Sequence, residues 1–103
     1  MNTTLDQRGV DYSIRVAELV RYLRENGQGF PLCDRLLYCG VNAGLAIREG
    51  KKPAAAALVD ETVYIIGMAV TAGYLTRQQS VHIRGDCDNL LAMLHENNKT
   101  EEK

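Results

Sequence analysis

At 103 residues with 46 % apolar and 24 % charged side chains, the chain has the make-up of one folded domain, which excludes wholesale disorder and leaves little room for a second core. Twelve Lys and Arg against thirteen Asp and Glu give a formal net charge of -1, which excludes a globally basic nucleic-acid binder. One Phe and no Trp require an aliphatic core.

The first ten residues read as a polar segment. Met1 to Arg8 lacks the apolar run of a secretory signal, so a cytoplasmic location is expected. Asp11 is the predicted cap of a first helix in which Tyr12, Val16, Leu19 and Leu23 line one face, with Arg15, Glu18, Arg21, Arg24 and Glu25 outward and a stop at Asn26-Gly27. Pro31 suits the first position of a second helix, because its missing N–H would have no partner there. That helix turns Leu32, Leu36, Ala43 and Ile47 inward and ends near Gly50. Lys51, Lys52 and Pro53 form the next joint.

The third helix, to Gly73, is apolar on more than one side. Ala55, Leu58, Thr62, Ile65 and Ala69 make one stripe at three-and-four spacing, and Val59, Val63, Ile66 and Val70 make a second. A helix apolar nearly all round must be buried nearly all round, and a small domain has little chain to spare for both stripes. A second copy is the expected cover. Asp60 and Glu61 break the run short of a membrane span, so none is predicted.

Thr76 and Gln79 have the spacing of a capping box and begin a fourth helix with Ile83, Cys87, Leu90, Leu91 and Leu94 inward. From Asn97 to Lys103 the sequence reads as a disordered polar tail. No stretch alternates with period two, so the fold class is all-α, and short joints make it an antiparallel up-down-up-down four-helix bundle over residues 11–96.

Gly40 and Gly44, four apart on helix two, with Gly67 and Gly85, would allow close backbone approach. Together with Val59, Val63, Ile66 and Val70, the Gly40 and Gly44 pair forms the expected oligomer interface. Arg15, Arg21, Arg24, Arg48, Lys51 and Lys52 are the candidate surface for a nucleic-acid or protein partner, although Glu18, Glu25, Asp34 and Glu49 are interleaved with them. Tyr22 and Tyr38 are the nearest stacking aromatics.

His82 and Asp86 lie four apart with Cys87 beside them, but two ligands do not make a metal site. Cys33, Cys39 and Cys87 form an odd set without a Cys-x-x-Cys pair, which suits reduced thiols. Asp60 and Glu61 are adjacent and point about 100° apart, so they do not converge on one atom; Glu61 is expected to pair with an Arg or Tyr across a helix or subunit contact and fix register. No catalytic residue, cofactor or metal ligand set is assigned, and the chain reads as non-enzymatic. A small metal- or thiol-dependent enzyme is the reading from a different class.

The segment from Leu32 to Gly50 resembles the second helix of the bacterial four-helix bundle proteins related to the protein encoded in large-subunit rRNA intervening sequences. Leu36, Leu37, Gly40, Gly44, Ile47 and Glu49 fall on that family's positions. Glu61-Thr62-Val63-Tyr64 looks like its Glu-Thr-x-Tyr, and Gly73-Tyr74-Leu75-Thr76 like its turn into helix four. Tyr38, Cys39 and Ala46 depart from its Arg, Ser and Asn. The resemblance implies a homo-oligomer, a pentameric ring, that acts as a scaffold or accessory for a protein or nucleic-acid partner. A distant branch, the accessory variability determinant of diversity-generating retroelements, implies the alternative of an accessory that binds a reverse transcriptase with RNA or DNA.

Overall fold

The computed structural model describes residues 3–26 and 29–102, and Gly27, named above as part of a helix stop, lies outside them. Four helices follow in order: α1 (Thr3–Asn26), α2 (Cys33–Arg48), α3 (Lys52–Thr71) and α4 (Arg77–Glu102). Each packs on its neighbour in sequence, and α4 returns against α1 to close an antiparallel bundle 47 Å long. No strand occurs among the described residues.

Two joints are ended by glycine. Gly50 (φ 77°) and Gly73 (φ 90°) take the left-handed conformation. In each case the next amide closes back on the last turn, Lys51 N–H to the Ala46 carbonyl and Tyr74 N–H to the Ala69 carbonyl, both at 2.8 Å. These are Schellman closures, which satisfy carbonyls that a helix end leaves orphaned. The predicted capping box forms at α4: Gln79 N–H donates to Thr76 Oγ1 at 3.0 Å, and Thr76 N–H donates to Gln79 Oε1 at 2.8 Å. Phe30 packs on Tyr74 with ring centroids 4.9 Å apart, closing that end of the bundle.

The helix boundaries differ from expectation in three places. Helix α1 starts at Thr3 rather than Asp11, because Leu5 continues the inward stripe one more turn pair and is 2 % exposed. Asp11 therefore lies inside the helix, where Gln7 Nε2 donates to it at 3.1 Å. Helix α2 starts at Cys33, two residues after Pro31. Helix α4 runs to Glu102, through residues read from sequence as a tail.

The tightest seam is α1 against α2. A Cβ at Gly40 would stand 2.5 Å from Val16 Cγ1, and one at Gly44 would stand 2.4 Å from Ser13 Oγ and 3.1 Å from the Gly9 carbonyl oxygen. Ser13 Oγ uses that closeness to donate to the Gly40 carbonyl at 2.8 Å. Gly40 and Gly44 thus serve packing within the chain.

The two stripes of α3 also meet neighbours within the chain. Val59 and Ile66 are fully buried in the chain's own core, while Val63 and Val70 are half-buried against it. One stripe faces α2 and the other α4, so the subunit covers Val59 and Ile66 fully and Val63 and Val70 in part, Val70 lining an open groove. By length and composition α3 would span a bilayer, but it is the core helix of the bundle, with Thr62, Ile65 and Ala69 inside as well.

Alanine at two of these glycines has opposite expected signs. Gly40→Ala should destabilise by about 1–2 kcal/mol, overpacking against Val16 outweighing the gain in helix propensity. Gly85, whose Cβ would meet nothing within 4 Å, should gain up to about 1 kcal/mol as Gly85→Ala. Urea midpoints of the two variants against the parent check both.

Candidate functional site

Once the core is closed, three kinds of feature remain on which chemistry or recognition could rest: the polar groups inside, the charged pairs between helices, and the apolar side chains left outside.

Inside the bundle, Tyr12 Oη and Cys87 Sγ lie 3.6 Å apart, both buried. Thr62 Oγ1 donates to the Leu58 carbonyl at 3.0 Å, and Ser80 Oγ donates to the Arg77 carbonyl at 2.7 Å. Among the described residues no buried side-chain polar atom lacks a partner. Burial pushes the Cys39 and Cys87 thiols up to about 11 and raises Cys33. The Tyr12 hydroxyl is raised for the same reason. Thiols held protonated at neutral pH are poor nucleophiles and poor ligands. No group of three His, Cys, Asp or Glu suited to a metal occurs among the described residues; Asp86, four residues after His82, takes two contacts from Arg15 Nη1, at 2.9 and 3.1 Å.

Glu61 pairs across a helix contact as predicted. The partner is Arg35 on α2, whose Nε donates to Oε2 and Nη2 to Oε1, the latter at 2.8 Å. Its guanidinium carbon also sits 4.8 Å from the centre of the Tyr38 ring. The two-pronged bond from Arg35 holds the Glu61 carboxyl below the usual carboxylate range and raises Arg35. This fork ties α2 to α3 at one register.

The predicted basic surface is not one patch. Arg15 pairs with Asp86, Arg21 with Glu25, Arg24 with Asp34, and Lys51 with Glu49 at 3.4 Å. Arg21 and Arg24 stand near the α1–α2 joint, whereas Arg48, Lys51 and Lys52 stand at the α2–α3 joint at the opposite end of the bundle. Arg48 has no ion pair with any described residue, and neither do Arg77 and Arg84 on α4.

Large apolar side chains remain exposed on two sides. On α1 and α2, Val10 (52 % exposed), Ile14 (51 %), Val41 (41 %) and Leu45 (40 %) flank the tight seam, with half-buried Leu37 between them. They lie there because Ser13 and Gly40 face each other across the seam, which turns the next residue of each helix outward on the same side. On the opposite side of the bundle, Tyr64, Met68 and Val81 are exposed along α3 and α4. There a shallow groove of about 580 Å³ runs past Tyr64, Gly67, Met68, Val70, Thr71, Ala72, Arg77 and Arg84. A smaller pocket of about 200 Å³ opens where α1 and α4 part, lined by Arg8, Asp11, Tyr12, Arg15, Asp86, Leu90 and Met93.

The α1–α2 strip escaped the sequence reading, which gave the outer face of helix one to its charges alone. The signal was present: Val10 with Ile14, and Val41 with Leu45, each repeat at i, i+4 off the core stripe.

No family model and no curated protein matches the chain. Among solved structures it is similar to a protein of unknown function from the S23 ribosomal protein family of Bacteroides thetaiotaomicron. The TM-score is 0.82 over 87 % of this chain and 94 % of that one, at 22 % sequence identity. The two share a fold. That fold is the one the resemblance in the second helix implied.

The Arg35–Glu61 fork carries a pH signature. Because the folded state holds the Glu61 carboxyl below its ordinary value, its contribution is complete above the unfolded value of 4.5 and is lost as pH falls through the folded value. Glu61→Gln should therefore unfold at lower urea than the parent at neutral pH, and the gap should close in acid. Urea midpoints from neutral pH down through the carboxylate range check it.

Proposed function

We propose that the chain is a non-enzymatic, cytoplasmic bundle that works as a homo-oligomer, a scaffold or accessory presenting a repeated surface to a protein partner. The observation that carries this reading is the strip of Val10, Ile14, Val41 and Leu45, left in water by a subunit whose core is otherwise closed. Single exposed apolar residues are ordinary, but a contiguous set on two packed helices is the mark of an interaction site. The resemblance to the intervening-sequence proteins favours a pentameric ring.

A protein partner is preferred to RNA or DNA because Arg15, Arg21, Arg24 and Lys51 already face carboxylates. Phosphate binding would have to displace those carboxylates and would gain less from counterion release. The reverse-transcriptase accessory role draws support from the resemblance alone.

Light scattering at tens of micromolar tests the assembly. The parent should exceed the 11.4 kDa of one chain severalfold, and Ile14→Glu or Val41→Glu should return it to monomer with helicity by circular dichroism unchanged. A parent that stays monomeric would overturn the reading.

A further inference from the structure

The apolar strip needs an opposite surface, and the bundle carries a candidate on its far side. Along α3 and α4, Gly67 leaves the groove floor without a side chain, and a Cβ there would come within 3.6 Å of Arg84 Nη2. Arg84 therefore lies across α3, half-buried, with no carboxylate among the described residues to meet it. Arg77 is seven residues away, on the same side of α4 and likewise without an ion pair. Seven residues are two helical turns, roughly 10 Å along the axis.

Helix α1 repeats that interval in the opposite charge. Glu18 and Glu25 are seven apart on its outer side, in line with exposed Ile14. Glu18 has no ion pair with any described residue, and Glu25 has only its exposed i, i+4 neighbour Arg21, a contact of little strength.

Heights along the bundle match as well. Within one chain Arg15 faces Asp86, and Gln79 Nε2 donates to Tyr22 Oη at 2.7 Å. By that register residue 18 of α1 is level with residue 83 and residue 25 with residue 76, each one residue, about 1.5 Å of helix rise, from Arg84 and Arg77 and within reach of an arginine side chain. Because Gly67 lies beside Arg84, Ile14 is level with Tyr64. A copy rotated about an axis parallel to the bundle, with no shift along it, brings Glu18 to Arg84, Glu25 to Arg77 and Ile14 to Tyr64.

We propose that the α3–α4 groove receives the outer face of α1 from a second copy, with Arg84 on Glu18 and Arg77 on Glu25 setting the register of a head-to-tail contact. Two different faces on opposite sides of the subunit make the contact heterologous, so successive copies close into a ring or run on as a filament, rather than stopping at a two-fold dimer. The proposal rests on the homo-oligomer reading above and adds which surfaces meet and what aligns them.

Charge reversal in the full-length protein tests it. Arg84→Glu and Glu18→Arg, each alone, should weaken assembly at least about tenfold in sedimentation velocity at moderate salt, since like charges then meet across the contact. The double variant carrying both should regain the parent's assembly, and Arg77→Glu with Glu25→Arg should behave likewise. Circular dichroism of every variant should match the parent, since these side chains lie outside the core. If the parent assembles and Ile14→Glu disperses it while the reversals have no effect, or the paired reversals fail to restore it, this contact is wrong and the groove belongs to another occupant, such as an acidic helix of a different protein. A monomeric parent would sink both readings together.

Discussion

The close approach of α1 and α2 is the constraint on which the rest of the bundle depends. Gly9, Gly40 and Gly44 remove side chains from both sides of one seam, and Ser13 fills the space with a hydrogen bond to the Gly40 carbonyl. Each glycine weakens its own helix by about 1 kcal/mol relative to Ala, so the seam must return that through packing of Val16 and Ile47 into the gap. The tightness has a geometric result. With α1 drawn onto α2, its contact with α4 is the slightest of the four seams, and the pocket beside Arg15 and Asp86 opens there.

Two of the remaining seams, α2–α3 and α1–α4, are held in register by polar groups. Arg35 and Glu61 join α2 to α3, Tyr12 and Cys87 join α1 to α4 within the core, and Gln79 reaches Tyr22 near the α4 start. An aliphatic interior built from Val, Leu, Ile and Ala is tolerant of sliding, because such side chains have no directional preference. Fixed hydrogen bonds between specific helices remove that freedom, as buried polar groups do in some coiled coils. Cysteines serve the same interior as small apolar fillers, and burial raises their thiol pKa values.

Helix number, order and inward faces were legible in the sequence because three-and-four spacing and terminal signals agreed: Gly50 and Gly73 stop α2 and α3, and Thr76 with Gln79 starts α4. The start of α1 was hidden by Asp11, a good cap that the structure uses as an ordinary helix residue, and by Gly9, which looks like a breaker but is a contact point. The interface assignment met a different limit. Periodicity shows that Val59, Val63, Ile66 and Val70 need cover, yet it carries no information on which helix supplies it. With α2 on one side and α4 on the other, Val59 and Ile66 of the second stripe were answered within the chain, and Val63 and Val70 in part. The exposed strip was missed because Val10, Ile14, Val41 and Leu45 sit among charges, and their common side emerges only once two helices are aligned across the seam.

That relocation changes the physical kind of oligomer in question. Had α3 needed a neighbour to bury its second stripe, the monomer would have lacked a stable core, and folding could not have been separated from association. Instead the subunit has its own core, the buried polar side chains among its described residues are partnered, and Arg15, Arg24 and Arg35 are paired with carboxylates. The association proposed above would then join preformed surfaces, one apolar strip beside the acidic line of α1 and one groove bearing arginines without carboxylates among the described residues. Surfaces of this mixed kind bind with an affinity that concentration and salt can tune, whereas a shared hydrophobic core would leave only assembled or unfolded chains. In the proposed assembly a repeated surface is displayed only when enough copies are present, because each copy already buries Val59, Ile65 and Ile66 of its most apolar helix in its own core.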